Sequence, residues 1–280
     1  MDILVSTQWL SGVLDADGLR ILDATWFLPG TDRNARDEFE AAHIPGAAFF
    51  DLDGVSETEA PVAGKLPPDH KFASRMRALG IGDGDRIVVY DNSPLRTAAR
   101  AWFLLKAYGV REVAVLDGGL EKWKAEGRPL ETGPAAPGQG HFTAALERER
   151  VVDKGEMMAL LGASGRQIVD ARGPARFAGE EPEPRPGMAA GHIPGARNVP
   201  YSSLYNPDGT FKRGEALRAA FEGAGVDPSR PIVATCGSGV TASALVFAAQ
   251  LLGNEDVRLY DGSWAEWGAD PATPKATGRA

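Results

Sequence analysis

The chain has 280 residues, 43% hydrophobic and 24% charged, which predicts a soluble globular protein of about two domains. The formal charge of −8 argues against nucleic acid or an anionic membrane as the main partner. The single cysteine excludes an intramolecular disulfide, and no Cys/His grouping has zinc spacing.

From the N-terminus, MDILVSTQWLSGVLDADGLR lacks a basic segment followed by a long apolar one, so no secretory signal is expected. No apolar run approaches the ~20 residues needed to span a bilayer, and the expected location is the cytoplasm. RILDA (20–24) then reads as a strand, HIPGA (43–47) as a turn, and RIVVYD (86–91) as a buried strand followed by a helical stretch. VAVLDGG (113–119) is a further strand, leading into the tryptophan-bearing LEKW (120–123). RPLETGPAAPGQG (128–140) is rich in Pro and Gly without periodicity and reads as a linker.

The same series then recurs. QIVDA (167–171), HIPGA (192–196), PIVATC (231–236), VRLYDGS (257–263) and WAEW (264–267) follow in the same order, 144 to 149 residues after their counterparts. The chain is therefore two copies of one domain: residues 1–128, a linker 129–148, and residues 149–280. Alternating short strands and helices predict an α/β fold with a mainly parallel sheet in each copy. The final PATPKATGRA (271–280) reads as a frayed tail.

Chemistry is expected in the second copy alone. Cys236 ends PIVATC, whereas the matching position of RIVVYD is Asp91, so the first copy has no nucleophilic thiol. A free cysteine at a strand end is ordinarily a small buried hydrophobe. Here it begins CGSGVTA, with a strand ending at Thr235 and a helix expected from near Thr241. Gly237 and Gly239 allow backbone conformations closed to other residues, so the loop can turn several N–H groups inward. Such a setting at a helix N-terminus lowers a thiol pKa from ~8.5 to ~3.5–7.5 and makes a nucleophile. A cysteine phosphatase would need an arginine six positions after the cysteine to clamp phosphate, where this chain has Ala242.

CGSGVTA, the duplicated domain, both HIPGA copies and DGSWAEW together resemble the tandem-domain rhodanese-type sulfurtransferases across nearly the whole chain. Within that family, thiosulfate enzymes resemble Cys-Arg-Lys-Gly-Val-Thr, and 3-mercaptopyruvate enzymes resemble Cys-Gly-Ser-Gly-Val-Thr, as here. The resemblance implies two tandem rhodanese-like domains and sulfur transfer from 3-mercaptopyruvate, through a persulfide on Cys236, to thiol acceptors such as thioredoxin or small thiols, or to cyanide. It implies no metal or organic cofactor. RFAGEEPEPRPG (176–187) is similar to the phrase whose two arginines hold the substrate, here Arg176 and Arg185. The planar, permanently charged guanidinium suits a carboxylate, although Glu180, Glu181 and Glu183 could also pair with these arginines. Loop N–H groups of Gly237, Gly239, Val240 and Thr241 would solvate the persulfide.

Some relatives are proposed to use a Ser–His–Asp relay. Ser238 matches the serine, and FFDLD (49–53) matches the acidic part, with Asp53 preferred over Asp51. The histidine departs from the pattern: Gly64-Lys65 stands before Leu66-Pro67, with His70 nearby. His43 and His192 occupy equivalent repeat positions, which predicts a fold role, and His141 has no partner in view. Trp102, Trp123, Trp264 and Trp267 are expected to seal cores or the seam between domains. Two rivals remain open: a thiosulfate sulfurtransferase, and a non-catalytic persulfide carrier.

Overall fold

A computed structural model describes residues 1–57, 65–135, 137–163 and 165–279. The chain divides into two compact units. Unit 1 comprises Met1–Glu57, Leu66–Glu147 and Pro207–Thr210; unit 2 comprises Thr58–Lys65, Arg148–Asn206 and Phe211–Ala280.

Unit 1 contains strands β1 (Leu4–Val5), β2 (Leu19–Asp23), β3 (Ala47–Phe49), β4 (Arg86–Tyr90) and β5 (Val113–Leu116). Its sheet is parallel in the order β1-β5-β4-β2-β3. Helices α1 (Thr7–Ser11), α2 (Ala35–Ala41), α3 (Leu52–Val55), α4 (Asp69–Ala78), α5 (Ala98–Ala107) and α6 (Gly119–Ala125) accompany it. Unit 2 contains β6 (Val151–Val152), β7 (Gln167–Asp170), β8 (Arg197–Asn198), β9 (Ile232–Thr235) and β10 (Val257–Tyr260), parallel in the corresponding order β6-β10-β9-β7-β8. Its helices are α7 (Lys154–Leu160), α8 (Pro174–Ala178), α9 (Gly214–Glu222), α10 (Ala242–Leu251) and α11 (Ser263–Trp267). The expected α/β repeat is thus present twice, down to strand order.

Continuous apolar strands such as Ile87-Val88-Val89 and Ile232-Val233-Ala234 are fully buried, as a sheet covered on both faces requires. α10 is buried from Ala242 to Ala249, because ASALVFAA offers small residues on every side and lets the helix sit close against the sheet. Trp123 and Trp267 occupy matching places in the two cores. Each indole donates from Nε1, to Pro129 O and to Pro274 O, at 2.8 Å in both cases. Trp102 and Trp264 are buried as well.

HIPGA has one structural meaning in both copies. Ala47 N–H donates to Ile44 O, and Ala196 N–H to Ile193 O, at 3.0 Å each. Gly46 and Gly195 sit at φ +74° and +80°, behind a proline that presets the preceding residue, which is the requirement of a type II turn. His43 and His192 stack on Phe39 and Phe177 at 4.1 and 3.8 Å, with Nδ1 against the carbonyl of the same phenylalanine. Both histidines are buried in these stacks.

Two stretches that lack side-chain periodicity are nevertheless docked. Within 128–140, His43 and Glu131 exchange both backbone hydrogen bonds at 2.9 Å, and Gly133 N–H donates to Glu40 O at 2.7 Å. The C-terminal stretch repeats this device: His192 and Ala276 exchange bonds at 2.8 and 2.9 Å, and Gly278 N–H reaches Ala178 O at 2.8 Å. The tail is therefore held through Gly278 rather than frayed. Backbone pairing needs no apolar pattern, which is why the sequence carries no sign of it.

Candidate active site

Cys236 follows β9 directly, at the C-terminal end of the unit 2 sheet, where open parallel sheets place their ligand crevices. The loop 236–241 ends at Thr241, the N-cap of α10. The thiol is free and 2% exposed, which taken alone fits a buried hydrophobe. Its surroundings differ from an apolar core, however: Gly239 N–H donates to Sγ at 3.1 Å. Gly239 adopts φ +82°, the conformation that turns this amide onto the sulfur. Among the described residues, no acceptor takes the N–H groups of Gly237, Ser238, Val240 or Thr241. Four further amides of the loop are thus unbonded among the described residues.

Gly237 is needed for a different reason from Gly239. Its φ is not positive, but a Cβ there would lie 3.2 Å from Nη2 of Arg176. The guanidinium rests against the loop backbone at Gly237, the residue after the cysteine. The Ser238 hydroxyl is half-buried and has no hydrogen-bond partner among the described residues.

The loop is backed by α11. Cys236 N–H donates to Ser263 Oγ at 3.2 Å, and Ser263 Oγ donates to Tyr260 O at 2.9 Å. Trp264 N–H donates to Cys236 O at 2.9 Å, and Ala265 N–H to Gly237 O at 2.8 Å. Ser263 sits at φ +50°, unusual for a residue with a Cβ. Unit 1 has Gly119 at the matching place, with φ +58°. Sequence reasoning missed Ser263; the one signal was a serine where the first repeat has glycine.

Arg176 lies on α8. Its Nη2 forms an ion pair with Oε2 of Glu183, and its Nε is buried with no acceptor among the described residues. Glu183 is 1% exposed at its side chain and also accepts from Arg172 Nη1 at 2.6 Å. Arg172, equally buried, pairs with Asp170 at 2.7 Å, donates to Gly191 O at 2.9 Å, and stacks over Trp264 at 4.7 Å. Burial alone would lower the Arg172 pKa, but Asp170 and Glu183 outweigh it and the net shift is upward, so the cation is secure. Asp170–Arg172–Glu183–Arg176 is a chain of alternating charge, buried except for the half-buried Arg176 at its end. The sequence raised Glu183 only as a possible partner and did not single out Arg172 at all. Its signal was DAR (170–172), where the first repeat has Asp-Ala-Thr.

Arg185 is half-buried and makes no ion pair or hydrogen bond among the described residues. Of the two arginines, one already has a carboxylate and the other has none.

The equivalent loop of unit 1 is an internal comparison. Asp91 stands where Cys236 stands, and its carboxylate accepts from Ser93 N–H at 2.9 Å and from Ala98 N–H, the first residue of α5, at 2.7 Å. In unit 1 this strand-to-helix loop is filled by its own carboxyl side chain, whose pKa burial raises against the two amide hydrogen bonds.

Asp53 belongs to unit 1. It is exposed and accepts from Trp26 Nε1 at 2.9 Å, while Asp51 caps α3 through Gly54 N–H at 3.1 Å. His70 is exposed on α4, and His141 is exposed with Asp83 4.0 Å away. Gly64 lies outside the described residues. Lys65 pairs with Glu266 at 2.6 Å. Among the described residues no group of three or more His, Cys, Asp or Glu is placed to hold a metal, and no helix is long and apolar enough to cross a membrane.

The rhodanese-like domain profile matches residues 6–126 and 153–270. The human 3-mercaptopyruvate sulfurtransferase is 43% identical over 270 residues, covering 94% of this chain and 91% of that protein. A thiosulfate sulfurtransferase of Cricetulus griseus is 41% identical over 286 residues, covering 99% and 96%. The crystal structure of SseA from Escherichia coli, a 3-mercaptopyruvate sulfotransferase, superposes with a TM-score of 0.86 at 39% identity, covering 94% of this chain and 99% of that one. With two matched domains and near-complete coverage of its relatives, the chain belongs to the tandem-domain rhodanese family of sulfurtransferases.

Proposed function

We propose that this chain transfers the sulfur of 3-mercaptopyruvate to thiol acceptors and releases pyruvate. The Cys236 thiolate attacks the substrate sulfur, and the new S–S bond forms as the C–S bond breaks. The bonding pair leaves on the pyruvate enolate, which takes a proton to become pyruvate. Cys236 is left as a persulfide. An acceptor thiolate then attacks the outer sulfur, carries it away, and returns the Cys236 thiolate.

The observation that carries this reading is the uncharged loop whose Gly239 amide already donates to Sγ. Amides of Gly237, Ser238, Val240 and Thr241 would solvate the persulfide anion. Arg176 and Arg185 would hold the substrate carboxylate and the carbonyl oxygen on which enolate charge grows. The charge balance favours a monoanion: Arg176 is matched by Glu183, and among the described residues Arg185 has no acidic partner. A thiosulfate dianion would bring one charge too many.

Ser238 is assigned to proton delivery to the enolate, with Asp53 as the carboxylate contributed by the first repeat. Catalysis is assigned to the second repeat (149–280). The first (1–128), with Asp91 in place of the thiol, is assigned a supporting role, joined through 129–148. Thioredoxin and small thiols are the proposed acceptors. A lone free cysteine fits a reducing compartment, and the cytoplasm is the proposed site of action.

The test is steady-state pyruvate release from 3-mercaptopyruvate against sulfite release from thiosulfate, each with a thiol acceptor, with Cys236→Ser alongside. The expected result is preference for 3-mercaptopyruvate by orders of magnitude and an inactive variant. Thiosulfate preference would transfer the chain to the activity of its Cricetulus griseus relative. Failure of both donors would make it a persulfide carrier.

A further inference from the structure

Two features of Arg176 need a common explanation. Its guanidinium lies against the backbone of the cysteine loop, and its Nε is buried with no acceptor among the described residues. A long, flexible side chain holds such a pose only when another group fixes it. The fixing group is Glu183. Both of its oxygens are occupied, Oε1 by Arg172 and Oε2 by Arg176, and its side chain is 1% exposed. Arg172 is in turn locked by Asp170, by Gly191 O and by the face of Trp264, whose own amide holds Cys236 O. The carboxylate therefore sits between a rigid cation and an adjustable one, and the rigid cation sets where it points.

We infer that Glu183 is a positioning residue for the sulfur-loading half of the reaction: anchored by Arg172, it aims the Arg176 guanidinium so that its remaining donors meet the oxygens of an α-keto carboxylate beside Cys236. This rests on the assignment of Arg176 to the substrate. The buried Nε–H with no acceptor among the described residues supports it: a donor left unpaired is costly, so the pose is held by the Glu183 pair and not by bonding at Nε. The aim, rather than the net charge, is what Glu183 contributes.

The experiment separates the two half-reactions. Single-turnover pyruvate formation from 3-mercaptopyruvate reads loading; discharge of a preformed Cys236 persulfide to a small thiol reads unloading. Glu183→Gln should slow loading by one to two orders of magnitude, as a misaimed clamp does, and leave unloading within about twofold of wild type. Glu183→Asp, which keeps the charge on a shorter arm, should recover part of the loss. A residue that merely supports the fold would lower both half-reactions together, and that result overturns the inference. Normal loading in Glu183→Gln with defective loading in Arg176→Gln overturns it while leaving the substrate assignment of Arg176 standing. Normal loading in Arg176→Gln removes that assignment and this inference with it. Should Glu183→Gln fail to fold, wild-type protein carrying 15N-labelled arginine decides the matter. Pyruvate should shift the Arg176 guanidinium resonances, and unmoved resonances refute the geometry.

Discussion

The amide of Gly239 donates to the sulfur of Cys236 at 3.1 Å, and Gly239 reaches it from φ +82°. These are one fact, because a residue with a Cβ adopts that conformation only at a cost of about 1–2 kcal/mol. Gly239→Ala should therefore rotate the peptide, withdraw the amide and slow persulfide formation at least tenfold. Pyruvate burst kinetics measure this; a burst at the wild-type rate would mean the amide does not act on the sulfur.

Ser263 stabilises the same loop from behind and is strained to do so. Removing its hydroxyl leaves the Cys236 N–H buried without an acceptor while φ stays at +50°. Ser263→Ala should lose about 1–3 kcal/mol of stability. Ser263→Gly relieves the backbone, as Gly119 does in unit 1, and should lose less. Thermal melts of the two variants rank them, and the opposite order would refute this account of Ser263.

The proton assignments are separable by substitution. Ser238→Ala should depress pyruvate formation by ~10²-fold if its hydroxyl delivers the enolate proton, with persulfide discharge unaffected. Asp53→Asn should give a smaller loss in the same step. Wild-type loading in both variants would assign the proton to water.

Unit 1 carries a pH signature of its own. Burial raises the Asp23 carboxyl from 3.8 to about 6, against hydrogen bonds from Thr25 that favour its charged form. A carboxyl with a raised pKa holds its proton more tightly when folded. Its contribution is full below pH 3.8 and is lost as pH rises through about 6. At ~1.4 kcal/mol per pH unit, the swing is on the order of 3 kcal/mol. Asp23→Asn should flatten this part of the profile, so that its melting temperature gains on wild type between pH 4 and 7. Parallel profiles would show that Asp23 titrates normally.

Much of this protein was legible without coordinates, because the evidence is local. A turn that needs proline then glycine repeats as HIPGA, and buried parallel strands repeat as unbroken apolar runs. Cys236, its loop and the end of β9 at Thr235 follow from neighbours in sequence. Tertiary structure decided what depends on residues brought from different elements. Glu183 bridges Arg172 and Arg176, Ser263 supports Cys236 from 27 residues away, and Gly237 is small because a guanidinium lies against it. The docking of the linker and tail belongs to the same class, since backbone hydrogen bonds are blind to side-chain pattern. Propensity and periodicity report the preferences of a segment. Ion pairs, close approaches and strained φ values report the company it keeps, and only the folded chain supplies that.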